Sequence, residues 1–488
     1  MVNINNLTAP GIYLFEETAG VPPTEIAPFN RCYMIGSATG SVTPIHTPTL
    51  VRSSEDFINQ FGGSVAVNRA TLDVFFSNVS QLEGQLYYSK LGIAPRAIVS
   101  VDTLSASGVY SLNINGTPLS FTADASPTNA EVINGLATAI NSANGLGVTA
   151  TPALDDAGAD YSGGLLIVYQ NDPTATPFTI TETDAKLSIA TAVGVPTSPQ
   201  WWDYVRAIQQ SFDGDMPLGF IICPEAFASL VFRAERLRVA NALESVAATL
   251  DWVGLADCGA MIDTVAELDT EAAAYISPLG HLAYYAPWLR DSANRMVSAA
   301  ICAAIVFFKR SAREGFQEPP AGTRHPIRGI VESDMRITAS DQAALNPDGV
   351  NCIRFFPRVG WVVYGARSRS SNPLYRFINT RIILSIYNRT LIESLEAANV
   401  AFSASDGIGQ LFGRITEIAN SVGYRFWRSR AFFGETSQLA FLNVCDRSNN
   451  SASDLESGIV QLDSYVSPSP TAERILARTI RIPIAGGN

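Results

Sequence analysis

Three histidines, His46, His281 and His325, are all that 488 residues offer for imidazole chemistry near neutral pH. His46 lies in a Thr/Pro-rich loop, His281 opens an apolar run, and His325 sits between Arg324 and Pro326. They share no helix face and no metal-ligand spacing. The six cysteines (Cys32, Cys223, Cys258, Cys302, Cys352, Cys445) are scattered, without a C-x-x-C pair, and mostly lie in apolar runs. That is the habit of buried free thiols, and it points to folding in a reducing compartment. The sequence contains no G-x-S-x-G elbow, H-E-x-x-H pair, Walker A loop or EF-hand loop. Gly407-Ile408-Gly409-Gln410-Leu411-Phe412-Gly413 has the wrong spacing for a dinucleotide loop and reads as the opening of a helix. Asp155, Asp156 and Asp160 around Gly158 have the oxygen chemistry of a calcium loop without its spacing, and read as a solvated loop. The doublets Trp201-Trp202, Tyr284-Tyr285 and Phe355-Phe356 read as core anchors and subunit contacts. These residues assign no catalytic, cofactor or metal role, and the chain is expected not to be an enzyme.

Composition agrees with a chain that hides surface. Apolar residues make up 47% and charged residues only 16%, well below the usual quarter, and mean hydropathy is +0.13. The formal charge of −12 is uneven. Between Ala97 and Pro196 nine acids face Lys186 alone, whereas Arg354 to Asn488 holds fifteen arginines and ten acids. An acidic module and a basic C-terminal part follow, and net acidity argues against non-specific nucleic-acid binding. The N-terminus has neither the basic nor the apolar stretch of a signal peptide. The longest apolar run, Met296 to Phe308, is short for a membrane span and suits a buried helix.

The expected architecture is multidomain, α/β and α+β. An α/β core (26–96 and 197–367) has strand patterns at Arg31–Gly36, Gln85–Leu91, Leu218–Cys223, Trp252–Ala256 and His281–Tyr285. Its helical patterns are at Ala66–Val79, Glu225–Leu250, Glu267–Ile276 and Asp291–Arg313. A small acidic α+β domain (97–196) is inserted, marked by the Asn115-Gly116 hairpin turn and a helix over Thr128–Ala143. An α+β C-terminal domain (368–473) is expected to hold a strand at Phe377–Ile386, helices near Asn388–Phe402 and Gly407–Trp427, and long strands at Ala440–Cys445 and Ile459–Val466.

The ends (1–25 and 474–488) read as arms. Ile12, Tyr13, Leu14 and Phe15 form a short apolar strand after Pro10-Gly11. In the tail Ile480, Ile482 and Ile484 alternate with Thr479, Arg481 and Pro483. A lone strand cannot satisfy its own backbone groups, so each must join a sheet in its own chain or a neighbour's. A strand-donating end at each terminus suits a linked polymer.

Six short motifs, in order, resemble tail sheath proteins of contractile phage tails and related injection systems. Pro10-Gly11-Ile12-Tyr13 resembles the P-G-V-Y opening, and Phe57 to Gly63 the F-x-x-x-F-G-G segment. Pro320-Ala321-Gly322-Thr323 is similar to P-A-G-T, and Leu345 to Asn351 to L-N-x-x-G-V-N. The signature around Gly360, Trp361, Gly365 and Arg367 departs from the family in Tyr364 and Ser368. The following block, with Asn379 and Arg381, departs in Ile382. The resemblance implies a sheath subunit without cofactors. Such subunits form stacked hexameric rings around an inner tail tube and contract to drive it through a cell envelope. Partners would be other copies of the chain, the tube protein, and baseplate and tail terminator proteins, with no direct nucleic-acid contact and no membrane insertion. The location would be a virion tail assembled in host cytoplasm, or a bacterial injection particle. The arms would add strands to neighbouring C-terminal domains, and the helix carrying Arg389, Glu393 and Glu396 would touch the tube, although Arg389 and Glu393 are also one turn apart and could simply pair. Left open beside this are an α/β enzyme and another self-assembling shell or array protein.

Overall fold

The computed structural model describes residues 25–40, 43–153, 164–194, 198–404 and 409–479. Both expected arm strands (Ile12 to Phe15; Ile480, Arg481, Ile482, Ile484) and the loop with Asp155, Asp156 and Asp160 lie outside the described residues. The described chain divides into two units. One takes residues from 28–386, with 429–431 and 468–479; the other takes 387–404, 409–428 and 432–467, with 25–27.

The larger unit is built on an eight-stranded sheet. Its inner strands, in spatial order, are Val350–Phe356, Leu282–Ala286, Val253–Asp257, Gly219–Ile222, Arg31–Gly36 and Gln85–Lys90, all parallel. Gly360–Val363 and Thr49–Val51 close the two edges antiparallel. Gly219–Ile222, Val253–Asp257 and Leu282–Ala286 are buried at every position, as strands covered by helices on both faces must be. Helix Ala299–Arg313 is buried from Ala299 to Lys309 and is capped by the Ser298 hydroxyl, so the long apolar run is a core helix from Ala299 onward.

Two helices are shorter than the sequence pattern suggests. Asp291–Arg313 is not one helix: Leu289–Arg290 and Met296–Val297 pair as a hairpin, and helix begins only at Ala299. The Asp291 carboxylate makes that turn by accepting the Ala293 and Arg295 N–H groups at 2.9 Å each. Glu225–Leu250 breaks into Pro224–Ser229 and Arg233–Leu250. The carbonyls freed at the break, Leu230 O and Val231 O, accept from Arg236 Nη1 at 2.9 and 2.6 Å.

Between Gln85–Lys90 and Gly219–Ile222 the chain leaves the large sheet and forms two smaller ones. One runs Leu187–Gly194, Arg96–Val101, Leu165–Gln170, Val148–Pro152; the other runs Thr117–Thr122, Val109–Ile114, Ile180–Glu182. Asn115 and Gly116 take positive φ (51° and 82°) in the hairpin turn. Helix Asn129–Ser142, capped by Thr128, packs Val132, Leu136 and Ile140 with Tyr110, Leu112 and Val168 in a core of its own. Arg96 and Gly194 are directly paired, so entry and exit of this segment lie side by side.

The largest correction concerns Phe377–Ile386, which is not a strand. Ile378–Ala397 is a twenty-residue helix. Ile378, Ile382 and Ile386 recur at spacing four and are all buried, a helical stripe that the β-branched composition disguises. In the smaller unit, helix Gln410–Arg428 packs on a two-stranded antiparallel sheet, Phe441–Val444 with Asp463–Val466. These strands are shorter than the expected Ala440–Cys445 and Ile459–Val466.

Candidate assembly surfaces

The chemistry-bearing residues do not converge. His46 Nδ1 is 3.0 Å from Gln210 Oε1, His281 Nδ1 is 2.8 Å from Trp252 O, and His325 Nε2 is 2.9 Å from Glu314 Oε1. All six cysteines are buried, and burial pushes their thiols up, Cys352 to about 12. Among the described residues no group of three or more metal-type side chains could hold an ion, and no helix is long and apolar enough to cross a membrane.

In a parallel sheet, ligands usually bind where the strand order reverses. Here the reversal lies between Arg31–Gly36 and Gly219–Ile222. The crevice at their C-terminal ends holds Glu225, which is 2% exposed. Its Oε2 accepts the Ser37 N–H at 2.7 Å, the Ser37 hydroxyl at 2.9 Å and Asn68 Nδ2 at 2.6 Å. The position where an open α/β enzyme cradles an anion is filled by a carboxylate of the chain itself. Burial raises the Glu225 carboxyl above its ordinary range, against these hydrogen bonds.

Three of the motif residues, Gly365, Arg367 and Asn379, do converge, on residues 468–473. Asn351 side-chain bonds run to the backbone of Arg367: Nδ2 donates to Arg367 O at 2.7 Å, and Oδ1 accepts Arg367 N–H at 2.7 Å. Gly365 makes this possible, because a Cβ there would lie 2.9 Å from Asn351 Cα and Oδ1. Arg367, so oriented, holds Glu473 with both arms of its guanidinium: Nε to Oε1 at 2.9 Å and Nη2 to Oε2 at 2.5 Å. Asn346 Nδ2 adds a third bond to Oε1 at 3.0 Å. Asn379 Nδ2 donates to Ser469 O at 3.1 Å, and Thr471 Oγ1 donates to Asn379 Oδ1 at 2.6 Å. Residues 468–473 are thus strapped down, while Ile475 and Leu476 beyond them are 86% and 98% exposed. Burial would raise the Glu473 carboxyl, but the bonds from Arg367 and Asn346 and the Arg367 charge outweigh it and hold it below the usual carboxylate range.

Gly360 and Trp361 do not touch the strap. They start the edge strand Gly360–Val363, where Trp361 packs on Phe355 at 5.4 Å and its carbonyl accepts Ile327 N–H at 2.8 Å. Arg381 faces elsewhere too, pairing with Asp251 at 3.0 Å. The motif residues therefore fall into two groups: Gly365, Arg367 and Asn379 at residues 468–473, and Gly360, Trp361 and Arg381 elsewhere in the larger unit. Glu473, Asn346, Asn351, Ser469 and Thr471 were not identified as site residues from sequence. Asn346 and Asn351 stood inside a recognised motif, whereas nothing local marks Glu473, 106 residues from its partner Arg367.

In the smaller unit, neither Phe441–Val444 nor Asp463–Val466 has a second strand partner among the described residues. Leu442 and Tyr465 are 57% and 60% exposed. A groove of about 800 Å³ runs beside them, floored by Gly413 and Thr416 of the helix and walled by Cys445 to Ser448. On Ile378–Ala397, Arg389 and Glu393 are half-buried and Glu396 is exposed.

No family model and no curated protein matches the sequence. Solved structures do match the fold. The chain is similar to an extracellular contractile injection system sheath in the contracted state (TM-score 0.58, 13% identity, 97% of each chain covered). It is also similar to the contracted helical sheath of the anti-feeding prophage (0.56, 17%, covering 97% of this chain and 99% of that one). A sheath tail protein from Desulfitobacterium hafniense matches at 0.50 and 10% identity, over 94% and 96% of the two chains. The chain has the fold of contractile sheath proteins. At such identities the likeness is one of fold, and it spans nearly the whole of each sheath chain.

Proposed function

We propose that the chain is the structural subunit of a contractile sheath, assembling with copies of itself as stacked hexameric rings around an inner tube and shortening to drive that tube through an envelope. The observation that carries this reading is the end-to-end match to sheath subunits taken from contracted assemblies. The strap at Glu473 and the two-stranded sheet of the smaller unit, whose edges have no strand partner among the described residues, supply the two halves of a strand-exchange joint. One holds the root of the C-terminal arm on its own subunit, and the other offers free backbone groups to a neighbour's arm. Ile12 to Phe15, and Ile480, Ile482 and Ile484 with Arg481, are the donated strands. Contraction needs no catalytic group, since work comes from repacking rigid bodies between two arrangements. The occupied crevice at Glu225 agrees with this.

The segment 97–196 faces outward, and the helix bearing Arg389, Glu393 and Glu396 faces the tube. A baseplate and a tail terminator cap the polymer. The particle is a phage tail or an injection device built in a bacterial cytoplasm. Negative-stain microscopy of concentrated protein tests the reading: hollow tubes of stacked six-fold rings are expected. Flat or icosahedral arrays, or uniform small particles even with tube and baseplate present, would overturn it. Removing residues 475–488 should leave a folded protein that no longer forms tubes. Unfolding on that truncation would place the tail in the chain's own core instead.

A further inference from the structure

The strap forms one wall of a groove of about 820 Å³ that includes four arginines (Arg367, Arg369, Arg376, Arg474) and two acids (Asp348, Glu473). Arg367 is spent on Glu473. Arg369 bonds only neutral carbonyls, Nε to Tyr275 O at 3.0 Å and Nη2 to Ala272 O at 2.5 Å. Burial lowers its guanidinium from the ordinary value, outweighing the Asp348 and Asp269 charges that raise it. Arg376 and Arg474 are exposed and make no salt bridge to a described residue. Four arginines against Asp348 and Glu473 leave the lining of the groove net positive. Three apolar side chains also line it: Ile276, 65% exposed, and Pro347 and Phe377, both next to Arg367. A fitting occupant is an extended peptide with apolar residues running into carboxylates.

Outside the described residues, the longest apolar run leading into paired carboxylates is at the N-terminus. Residues 1–24, outside those described, carry Glu16 and Glu17 as their only ionised side chains, directly after Ile12-Tyr13-Leu14-Phe15. The acidic loop at Asp155, Asp156 and Asp160 offers more charge, but only Ala153 and Leu154 run into it, a shorter apolar stretch than Ile12 to Phe15. We propose that the arginine groove beside the C-terminal strap receives the Glu16–Glu17 end of the N-terminal arm of a second copy. The proposal rests on the reading that copies of this chain assemble. It adds a charge-specific seat for the arm, apart from any strand pairing.

The test is disulfide trapping in the full chain, whose six native cysteines are all buried. One copy carries Thr18→Cys and the other Ala472→Cys, which leaves every groove arginine and both glutamates in place. Thiols held in a docked complex meet at an effective concentration of about 1 mM. The mixed pair should therefore give about tenfold more disulfide dimer than Thr18→Cys mixed with an exposed control, Glu456→Cys. Adding Glu16→Lys and Glu17→Lys to the first copy should abolish that excess. Dimer at the control level while tubes still form overturns the groove and leaves the sheath reading standing. So does a disulfide that closes only within a single chain carrying both cysteines. Mixed dimer without tubes upholds the groove and removes the sheath; neither dimer nor tubes overturns both.

Discussion

Glu473→Gln isolates the strap. The substitution keeps size and one carbonyl acceptor but removes the charge that Arg367 and Asn346 address through three hydrogen bonds. Charge-assisted hydrogen bonds contribute about 1.5–3 kcal/mol and exposed ion pairs about 0.2–1 kcal/mol. With Arg367 at 9% and Glu473 at 23% side-chain exposure, the strap falls between those cases, at about 2 kcal/mol, or about thirtyfold in its open-to-closed ratio. Amide hydrogen exchange reads this directly. The Ser469 N–H, bonded to Ala431 O at 2.8 Å, should exchange about thirtyfold faster, while amides of Val253–Asp257 stay unchanged. Acid gives a second reading. The Glu473 carboxyl is held below its unfolded value, so its stabilisation is complete above that value, about 4.3. It fades as pH falls through the lower folded value, and the variant should lose this acid-side dependence. Protection at Ser469 that is indifferent both to the substitution and to pH 3–5 would refute the strap. Equal loosening of the central sheet would show that Glu473 supports the whole unit rather than the tail.

Other outcomes follow from the same geometry. Gly365→Ala forces a methyl to within 2.9 Å of Asn351 and should cost about 2 kcal/mol in chemical denaturation, with strap opening increased as well. Glu225→Ala leaves the Ser37 and Asn68 donors without their buried acceptor and should lower stability by about 3 kcal/mol; an unchanged denaturation midpoint would mean the crevice admits water freely. Asp257, fully buried, is raised to about 7 by that burial against bonds from Ala300 N–H and Ser298 Oγ. The folded state therefore holds its proton more tightly than the unfolded chain, and its destabilising effect grows from about pH 4 to about pH 7. Asp257→Asn should match the parent near pH 4 and exceed it at pH 8 by up to about 4 kcal/mol, measured as denaturation midpoint against pH. Replacing residues 97–196 by a short linker should leave tubes intact, since Arg96 and Gly194 are already paired at the base of that segment; loss of tubes would give the segment a role in assembly.

Much of the framework was legible locally, because short-range physics dictates it. Asn115-Gly116 can turn a hairpin with positive φ at both residues, Thr128 can cap the helix it precedes, and strands apolar at every position must be covered on both faces. What tertiary structure alone decided are the cases where two local readings compete, or where partners are far apart in the chain. Ile378 to Ile386 fits a strand by composition and a helix by spacing; buried neighbours on one side, with Arg381 drawn to Asp251, select the helix. The break at Leu230 depends on a guanidinium that caps two freed carbonyls. The crevice at the strand reversal is closed by Glu225, a residue no motif singles out. The joining of Arg367 to Glu473 spans 106 residues. A charge pair of that kind leaves no periodicity in sequence, since its energy depends on where the fold brings the two ends together.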